Sequence, residues 1–356
     1  MNYFSGIENF EKPGFDGVLS WLLETDEKKL EALWSAANLV RQRAVGDEVH
    51  LRGLAEASNF CSRNCAYCGI RAANKSVQRY RMTEEEILFC AKTAVNLGYG
   101  TLVMQTGEDP GLTCDFISHV IRRVKSETPL AVTLSLGERD ENELKEWKAA
   151  GADRYLLRFE TSDRALFEKI HPPLPGKISD RLSILNKLKR IGFETGSGVM
   201  IGIPGQSYSS LANDIVLFKE LDLDMIGVGP FVRHPATPLG AAKTGSSENQ
   251  VPATPLMTYK VLALARLVCP QANIPSTTAL ATLGGKNARM LGLERGANVV
   301  MPNLTPARYR AMYEIYPDKA SFIETREGFE SDFRNTLESI GRKAGKGPGN
   351  RRNKFT

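Results

Sequence analysis

The chain has 356 residues, 42 % hydrophobic and 24 % charged, which is ordinary for a globular protein with a core large enough to need no disulfides. Its net charge of +5 sits at one end: the last fifteen residues carry six Lys/Arg and no acid, leaving the remainder at −1, which argues against a nucleic-acid-binding body. No apolar run approaches the ~18 residues of a membrane span, the start MNYFSGIENFEKPG lacks the regions of a secretory signal, and six scattered cysteines fit a reducing cytoplasm, with no membrane or nucleic-acid partner expected.

Residues 15–45 read as helix, because Leu30, Leu33, Trp34, Ala37 and Val40 recur at the spacing of one helical face. From there a short apolar run, a polar turn and an amphipathic helix alternate to the end. Eight strand-like runs begin at Val49, Thr101, Leu130, Arg154, Glu194, Asp224, Asn273 and Ala297. Helices are predicted between them at 84–97, 113–125, 140–150, 163–170, 179–191, 208–220, 254–268 and 285–293. Thr83 and Glu86 form a capping box at the first of these. Such alternation implies parallel strands with right-handed crossovers, and eight units close into a TIM-type (β/α)8 barrel, an α/β fold. An open doubly wound sheet or a six-strand incomplete barrel is the alternative. The predicted organisation is an N-terminal helical extension (1–47), the barrel (48–320) and a C-terminal helix with a basic tail (321–356). The tail reads as a solvated terminus, or else as a docking segment for an acidic partner.

Chemistry in a barrel sits in the loops after the strands. Just after the first run stands Cys61-Ser-Arg-Asn-Cys65-Ala-Tyr-Cys68, a C-x3-C-x2-C. Structural zinc wants four ligands, and no fourth cysteine or histidine is near: His50 precedes the motif by eleven residues and Cys90 falls within the next helix. Three thiolates suit a 4Fe–4S cluster with one iron open; zinc with a remote fourth ligand is the alternative. Arg158 and Glu160 alternate at the end of the fourth run and so share the inner side of the strand. Charges placed there demand partners or a ligand. Cys90, on a face with Ile87 and Ala94, reads as core, and Cys114 and Cys269 stand alone.

The cysteine motif after the first strand of a βα barrel resembles the radical S-adenosylmethionine (SAM) superfamily. The resemblance implies that the open iron chelates the amino and carboxylate groups of SAM, and that an electron from the cluster cleaves the sulfonium to a 5′-deoxyadenosyl radical. It implies that Tyr67 packs by the adenine, that Gln105-Thr106-Gly107-Glu108 binds the amino group, and that the segment Gly198–Gln206, with Met200, lies around the adenine. Gln206 departs from the family, which often has Glu there. Ser135 is placed to bond ribose or carboxylate, Glu160 a ribose or amino group, and Arg181 the carboxylate through its two-pronged fork.

The segments RYRMTEEEI, QTGEDPG, VTLSLGE, ETGSGVMIGIPGQ, DMIGVGPF, IPSTTAL and GANVVMPN, in order, resemble the HydE-type maturases of FeFe-hydrogenase. That likeness implies work on the diiron part of the H-cluster, on an organometallic small molecule. The substrate would be a cysteine-bound iron carbonyl–cyanide synthon, made by a tyrosine-cleaving partner maturase. Arg52, Thr133, Arg158, Thr277, Thr278 and Tyr313 are the residues placed to hold it, and the other hydrogenase maturases are the expected partners. Some members carry a second three-cysteine motif near the C-terminus; residues 270–356 have no cysteine, so no auxiliary cluster is expected. His234 reads as a structural loop residue. A methylornithine synthase-like or sulfur-inserting enzyme of the same superfamily, and an iron–sulfur carrier for partner maturases, are the competing readings.

Overall fold

The structure, a computed structural model, describes residues 13–242, 249–285, 287–319 and 326–351, with side chains from 333 onward in the last segment. The first twelve residues of the predicted extension, its partition at 320/321 and the last five residues of the tail lie outside the described residues.

The chain opens with α1 (Phe15–Leu23) and α2 (Glu27–Val45). One continuous helix was predicted here. Asp26 divides it, because its carboxylate accepts the Lys29 N–H at 3.0 Å and caps a new helix instead of continuing the old one. The βα units follow: β1 (Glu48–Ser58), α3 (Glu84–Asn96), β2 (Thr101–Thr106), α4 (Cys114–Glu127), β3 (Ala131–Ser135), α5 (Glu141–Ala149), β4 (Arg154–Leu156), α6 (Arg164–Ile170) and α7 (Arg181–Ile191). Next come β5 (Glu194–Ser197), β6 (Met200–Ile201), α8 (Tyr208–Glu220), β7 (Met225–Ile226), β8 (Gly229–Pro230), α9 (Pro238–Ala241), α10 (Pro255–Val268), α11 (Thr278–Gly284), α12 (Ala288–Glu294) and β9 (Val299–Val300). The last described elements are α13 (Ala307–Arg310), α14 (Arg326–Ser339) and β10 (Lys343–Ala344). The α3 capping box is present as predicted. In α4 the residues Ile117, Val120, Ile121 and Val124 are buried, the stripe a helix lays on a sheet. Among the described residues no helix is long and apolar enough to cross a membrane.

All the pairings of the main sheet are parallel, in the order β1-β2-β3-β4-β5-β7. Single-residue bridges Met225–Asn273 and Pro275–Val299 carry the circuit on to β9, which pairs with β1. The ring therefore runs round as a βα barrel, but its seventh member, predicted as a strand from Asn273, is held by bridges and forms no ladder of its own. Its last residues, Thr277 and Thr278, instead begin α11. The fifth and sixth runs each break in two. At Gly198 a Cβ would lie 1.8 Å from the Gly227 carbonyl oxygen, so the two chains cross too closely there for any side chain. Beyond the crossing they pair again as β6 with β8.

Helix α10 is buried from Met257 onward because α1, α2 and α8 pack on it. Its Lys260 gives its ammonium to the carbonyls of Leu22, at 2.9 Å, and Glu24, which ties the N-terminal helices to the barrel wall.

The basic tail departs from expectation. Its described part is not a solvated terminus. β10 pairs with the start of β1 at Glu48 and Val49, and the chain then enters the lower end of the barrel. There the Pro348 carbonyl accepts from Arg154 Nη2 at 2.8 Å and Thr101 Oγ1 at 3.0 Å. The Gly349 carbonyl accepts from Arg52 Nη2 at 3.1 Å and Asn273 Nδ2 at 3.0 Å. Arg351 pairs with Asp222 and Asp224 at 2.6 and 2.8 Å. Backbone oxygens thus partner guanidinium groups that strands bring inside, although Arg52 Nε stays buried without one.

Arg154 is wholly buried and also pairs with Glu194 and donates to Asn350. Arg154→Ala removes the centre of this network and should cost about 3 kcal/mol, the scale of breaking a buried pair. A shift in the urea unfolding midpoint measures it; an unchanged midpoint contradicts the role.

Candidate active site

Two cavities meet at the upper, C-terminal end of the strands. The upper encloses about 290 Å³ and is rimmed by Cys61, Cys65 and Cys68. Its walls hold Tyr67, Gln105, Thr106, Gly107, Glu108, Ser135, Glu160, Arg181 and Met200, all expected at a SAM site, although Met200 alone of the expected segment Gly198–Gln206 reaches it. The lower, about 160 Å³, is lined by Arg52, Thr133, Thr277 and Thr278. Arg158 lies on the walls of both. Tyr313 borders the upper one and accepts a hydrogen bond from Gln105 Nε2 at 3.3 Å.

The cysteine loop is pinned by its main chain: Ser62 N–H to Glu108 O at 2.8 Å, Ala66 N–H to Ile170 O at 2.8 Å, and Gly69 N–H to Ile315 O at 2.9 Å. Gly107 packs so tightly beneath it that a Cβ would come within 2.2 Å of the Phe60 carbonyl oxygen. Burial pushes the Cys65 thiol up to about 12, and moves Cys68 further and Cys61 in the same direction. Such thiols stay protonated unless a metal displaces the proton. Among the described residues no three His, Cys, Asp or Glu side chains converge on one ion-sized point. Three thiolates on one cavity wall match a 4Fe–4S cluster with one iron left open, whereas structural zinc wants four closed ligands. The donor set therefore fits the implied cluster.

Several predicted residues are already engaged. Glu108 turns its carboxylate to Arg63 Nε at 2.6 Å and to the Glu138 N–H at 3.0 Å. Arg181 gives Nε to Glu138 at 3.0 Å and Nη1 to the Arg158 carbonyl at 2.6 Å. Its remaining nitrogen, Nη2, lies 3.2 and 3.3 Å from the ring nitrogens of His171, so the two-pronged fork is not open here. Thr277 Oγ1 caps α11 and also reaches the Val228 carbonyl at 3.2 Å. Gln206 is a buried brace, accepting from the Gly202 N–H at 2.7 Å and donating to Met200 O at 3.1 Å. His234 is a loop brace as expected, accepting the Ala236 N–H at 3.1 Å. By contrast, Thr133 Oγ1 is buried with no partner, and it lines the lower cavity.

Arg158 Nη2 donates to the Val199 carbonyl at 2.7 Å and lies 3.0 Å from Glu160 Oε2. Its Nε is buried and unpartnered, as is Glu160 Oε2, since the ion pair lacks hydrogen-bond alignment. Glu160 itself has φ +63°, a left-handed backbone costly for a non-glycine residue. The strain is held in place by main-chain bonds to Gly198 and Met200 on one side. On the other, Asp214 of α8 accepts both the N–H and the hydroxyl of Ser162 at 2.6 Å.

Four residues escaped the sequence reading. Arg63, between the first two cysteines, joins Glu108 to Glu138 and leaves Nη1 buried and unpartnered. Glu138 is held well below the usual carboxylate range by His171, Arg181 and Ser179 against the opposing effect of burial. His171 Nδ1 lies 3.0 Å from Cys65 Sγ. Lys319 pairs with Glu56 on the lower cavity wall, both buried. Only Arg63 carried a signal, its place inside the cysteine motif.

Asp214 is buried, its Oδ2 has no partner, and burial pushes its carboxyl up to about 7 from 3.8. Between those values the folded chain binds more proton than the unfolded one, so this group makes stability fall as pH rises through that window. Asp214→Asn, with an amide where Oδ2 now lacks a partner, should remove the slope and melt above the parent at pH ~8 but not at pH ~5. Parallel melting curves across this range would count against the assignment.

Comparison with known proteins is consistent with this geometry. The family model of the radical SAM superfamily matches residues 56–218. The chain is 44 % identical over 353 residues to the [FeFe] hydrogenase maturase subunit HydE of Thermotoga maritima, covering 98 % of this chain and 97 % of that protein. It is 28 % identical over 296 residues to 3-methylornithine synthase of Methanosarcina acetivorans, covering 83 % of this chain and 80 % of that one. Among solved structures, methylornithine synthase PylB superposes with a TM-score of 0.81 at 24 % identity over 96 % of each chain. The hydrogenase maturase HydG superposes with a TM-score of 0.70 at 21 % identity, over 83 % of this chain and 66 % of that one. Both share the architecture.

Proposed function

Because this chain belongs to the HydE-type [FeFe] hydrogenase maturases of the radical SAM superfamily, we propose that its upper cavity holds the cluster and SAM, and its lower cavity the substrate. The chain is a radical SAM enzyme of H-cluster maturation, and a 4Fe–4S cluster and SAM come with the family. The observation that carries the finer reading is the shared rim: three loop thiols face one cavity whose other walls hold the Gln105–Glu108 loop, Ser135, Glu160 and Arg181.

The bound cluster supplies the electron that cleaves the SAM sulfonium and frees a 5′-deoxyadenosyl radical. The chain's own residues place that event. Cys61, Cys65 and Cys68 are the cluster ligands in this proposal, and no auxiliary cluster is added. Glu160, held rigid in its strained turn and ion-paired with Arg158, presents to the SAM ribose or amino group a carboxylate whose Oε2 makes no hydrogen bond of its own. Arg63 Nη1 and Arg181 Nη2 offer one donor each toward the SAM carboxylate. Tyr67 and Met200 flank the adenine.

Below, Arg158 and Thr133 have donors to spare and face a small cavity whose wall is mostly apolar. Such a site favours an anion with an amino-acid carboxylate. We assign it the cysteine-bound iron carbonyl–cyanide synthon, made by a tyrosine-cleaving partner maturase. Thr278 orients it through neutral hydrogen bonds, Tyr313 acts from the upper cavity through Gln105, which lines both, and Thr277 and Arg52 act from the wall and floor. We assign the chain to the cytoplasm, where a reducing environment keeps the thiols of Cys61, Cys65 and Cys68 available to a cluster.

Anaerobic reconstitution should give about four irons per chain and reductive cleavage of SAM. Alanine at any of Cys61, Cys65 or Cys68 should abolish both and leave the far-ultraviolet circular dichroism unchanged. A protein that binds iron but never cleaves SAM would be a carrier. In an H-cluster maturation assay, Arg158→Ala should weaken use of the substrate by about ten- to a hundredfold, the worth of one charge-assisted bond. Arg158→Lys should recover only part, because a point charge does not replace the fork. A maturation yield equal to the parent in Arg158→Ala would remove Arg158 from the site.

A further inference from the structure

The two cavities lie in series. Their common walls include Gln105, Leu156 and Arg158, so the two adjoin, with the lower one farther from the cysteine loop. At its other end the lower cavity is lined by Arg52 and Asn273. Both residues hold the carbonyl of Gly349, which is itself buried while its neighbours Pro348 and Asn350 are exposed. Gly349 is not itself on the cavity wall; it stands behind these two residues as the tip of a segment that enters from below. Arg154 and Thr101 grip the preceding carbonyl, and Arg351 latches the outside to Asp222 and Asp224.

We infer that residues 347–351 are the lower closure of the substrate chamber, and that they leave it with one mouth. Resting on the placement of SAM in the upper cavity, this sets an order of loading: the substrate enters first, and SAM then seals it in. The arrangement suits a radical reaction, because a chamber open at both ends would admit buffer molecules from which the radical can abstract hydrogen.

Val103 lines the chamber one layer above Thr101, in register with Leu54 where Thr101 is in register with Arg52. A Val103→Cys reporter is made in the full chain and in a chain ending at Lys346, which keeps β10. Each holoenzyme is treated anaerobically with N-ethylmaleimide, and modification at residue 103 is read by peptide mass. In the full chain, saturating SAM should slow labelling roughly tenfold. In the shortened chain that protection should vanish, and labelling without SAM should be faster than in the full chain. Equal rates in the two chains, or protection retained after shortening, overturn the closure. If shortening accelerates labelling but SAM never protects the full chain, the placement of SAM fails, the loading order fails with it, and the closure stands. Should the shortened chain melt early, Arg351→Glu opens the latch in the full-length protein and Asp222→Arg on that background restores it. The labelling rate should follow each change, and a rate indifferent to both overturns the proposal.

Discussion

Arg52 and Arg154 at the floor, Arg158 between the cavities, and Arg63 and Arg181 at the rim place five guanidinium groups along the inside of one barrel. A guanidinium does not give up its charge readily, and removing it from water without partners costs several kcal/mol. Much of what is irregular in this molecule supplies those partners. The tail enters the barrel to bring carbonyl oxygens to Arg52 and Arg154. The Glu160 turn brings a carboxylate to Arg158. The loops after β2 and β3 bring Glu108 and Glu138 to Arg63 and Arg181. Where the supply falls short, at Arg52 Nε, Arg63 Nη1 and Arg158 Nε, the unmet donors belong to residues that line the cavities, where a ligand is to bind.

The same rule separates structure from function within the cluster of charges. Arg266, on α10, is as deeply buried as any of the five, yet four oxygens surround it: the carbonyls of Gly296, Pro270 and Ala272 and the side chain of Asn298. It is a fastener between α10 and the segment leading into β9. Lys260 is another. A buried cation with a complete set of acceptors explains itself, whereas one with a donor left over asks for a ligand.

Most of the architecture was legible in the sequence because it rests on local rules. The spacing of apolar residues located each βα unit, and cap residues such as Thr83 fixed helix starts. The cavity was legible from the cysteine spacing and from the inward alternation of Arg158 and Glu160. What stayed hidden was non-local or carried by the backbone. The pairing of Arg63 with Glu138 spans 75 positions, and no periodicity announces it. The left-handed turn at Glu160 has no glycine to mark it. The run from Asn273 has the composition of a strand, but only two of its residues find bridges before Thr277 caps a helix. The tail misled for a related reason: its lysines and arginines promised solvent, while main-chain oxygens hold it inside and Arg351 turns in to a pair of aspartates.

That last feature bears on how the tail tolerates change. Pro348 and Gly349 contribute carbonyls, and every amino acid has one, so drift in side chains leaves those acceptors untouched. Spacing is different. Inserting or deleting a single residue between β10 and Gly349 would turn each carbonyl away from its guanidinium and carry Arg351 off its aspartates at the same time. The segment is thus free in spelling and strict in length, and related chains with dissimilar endings can keep the same floor as long as the count from the last strand is conserved.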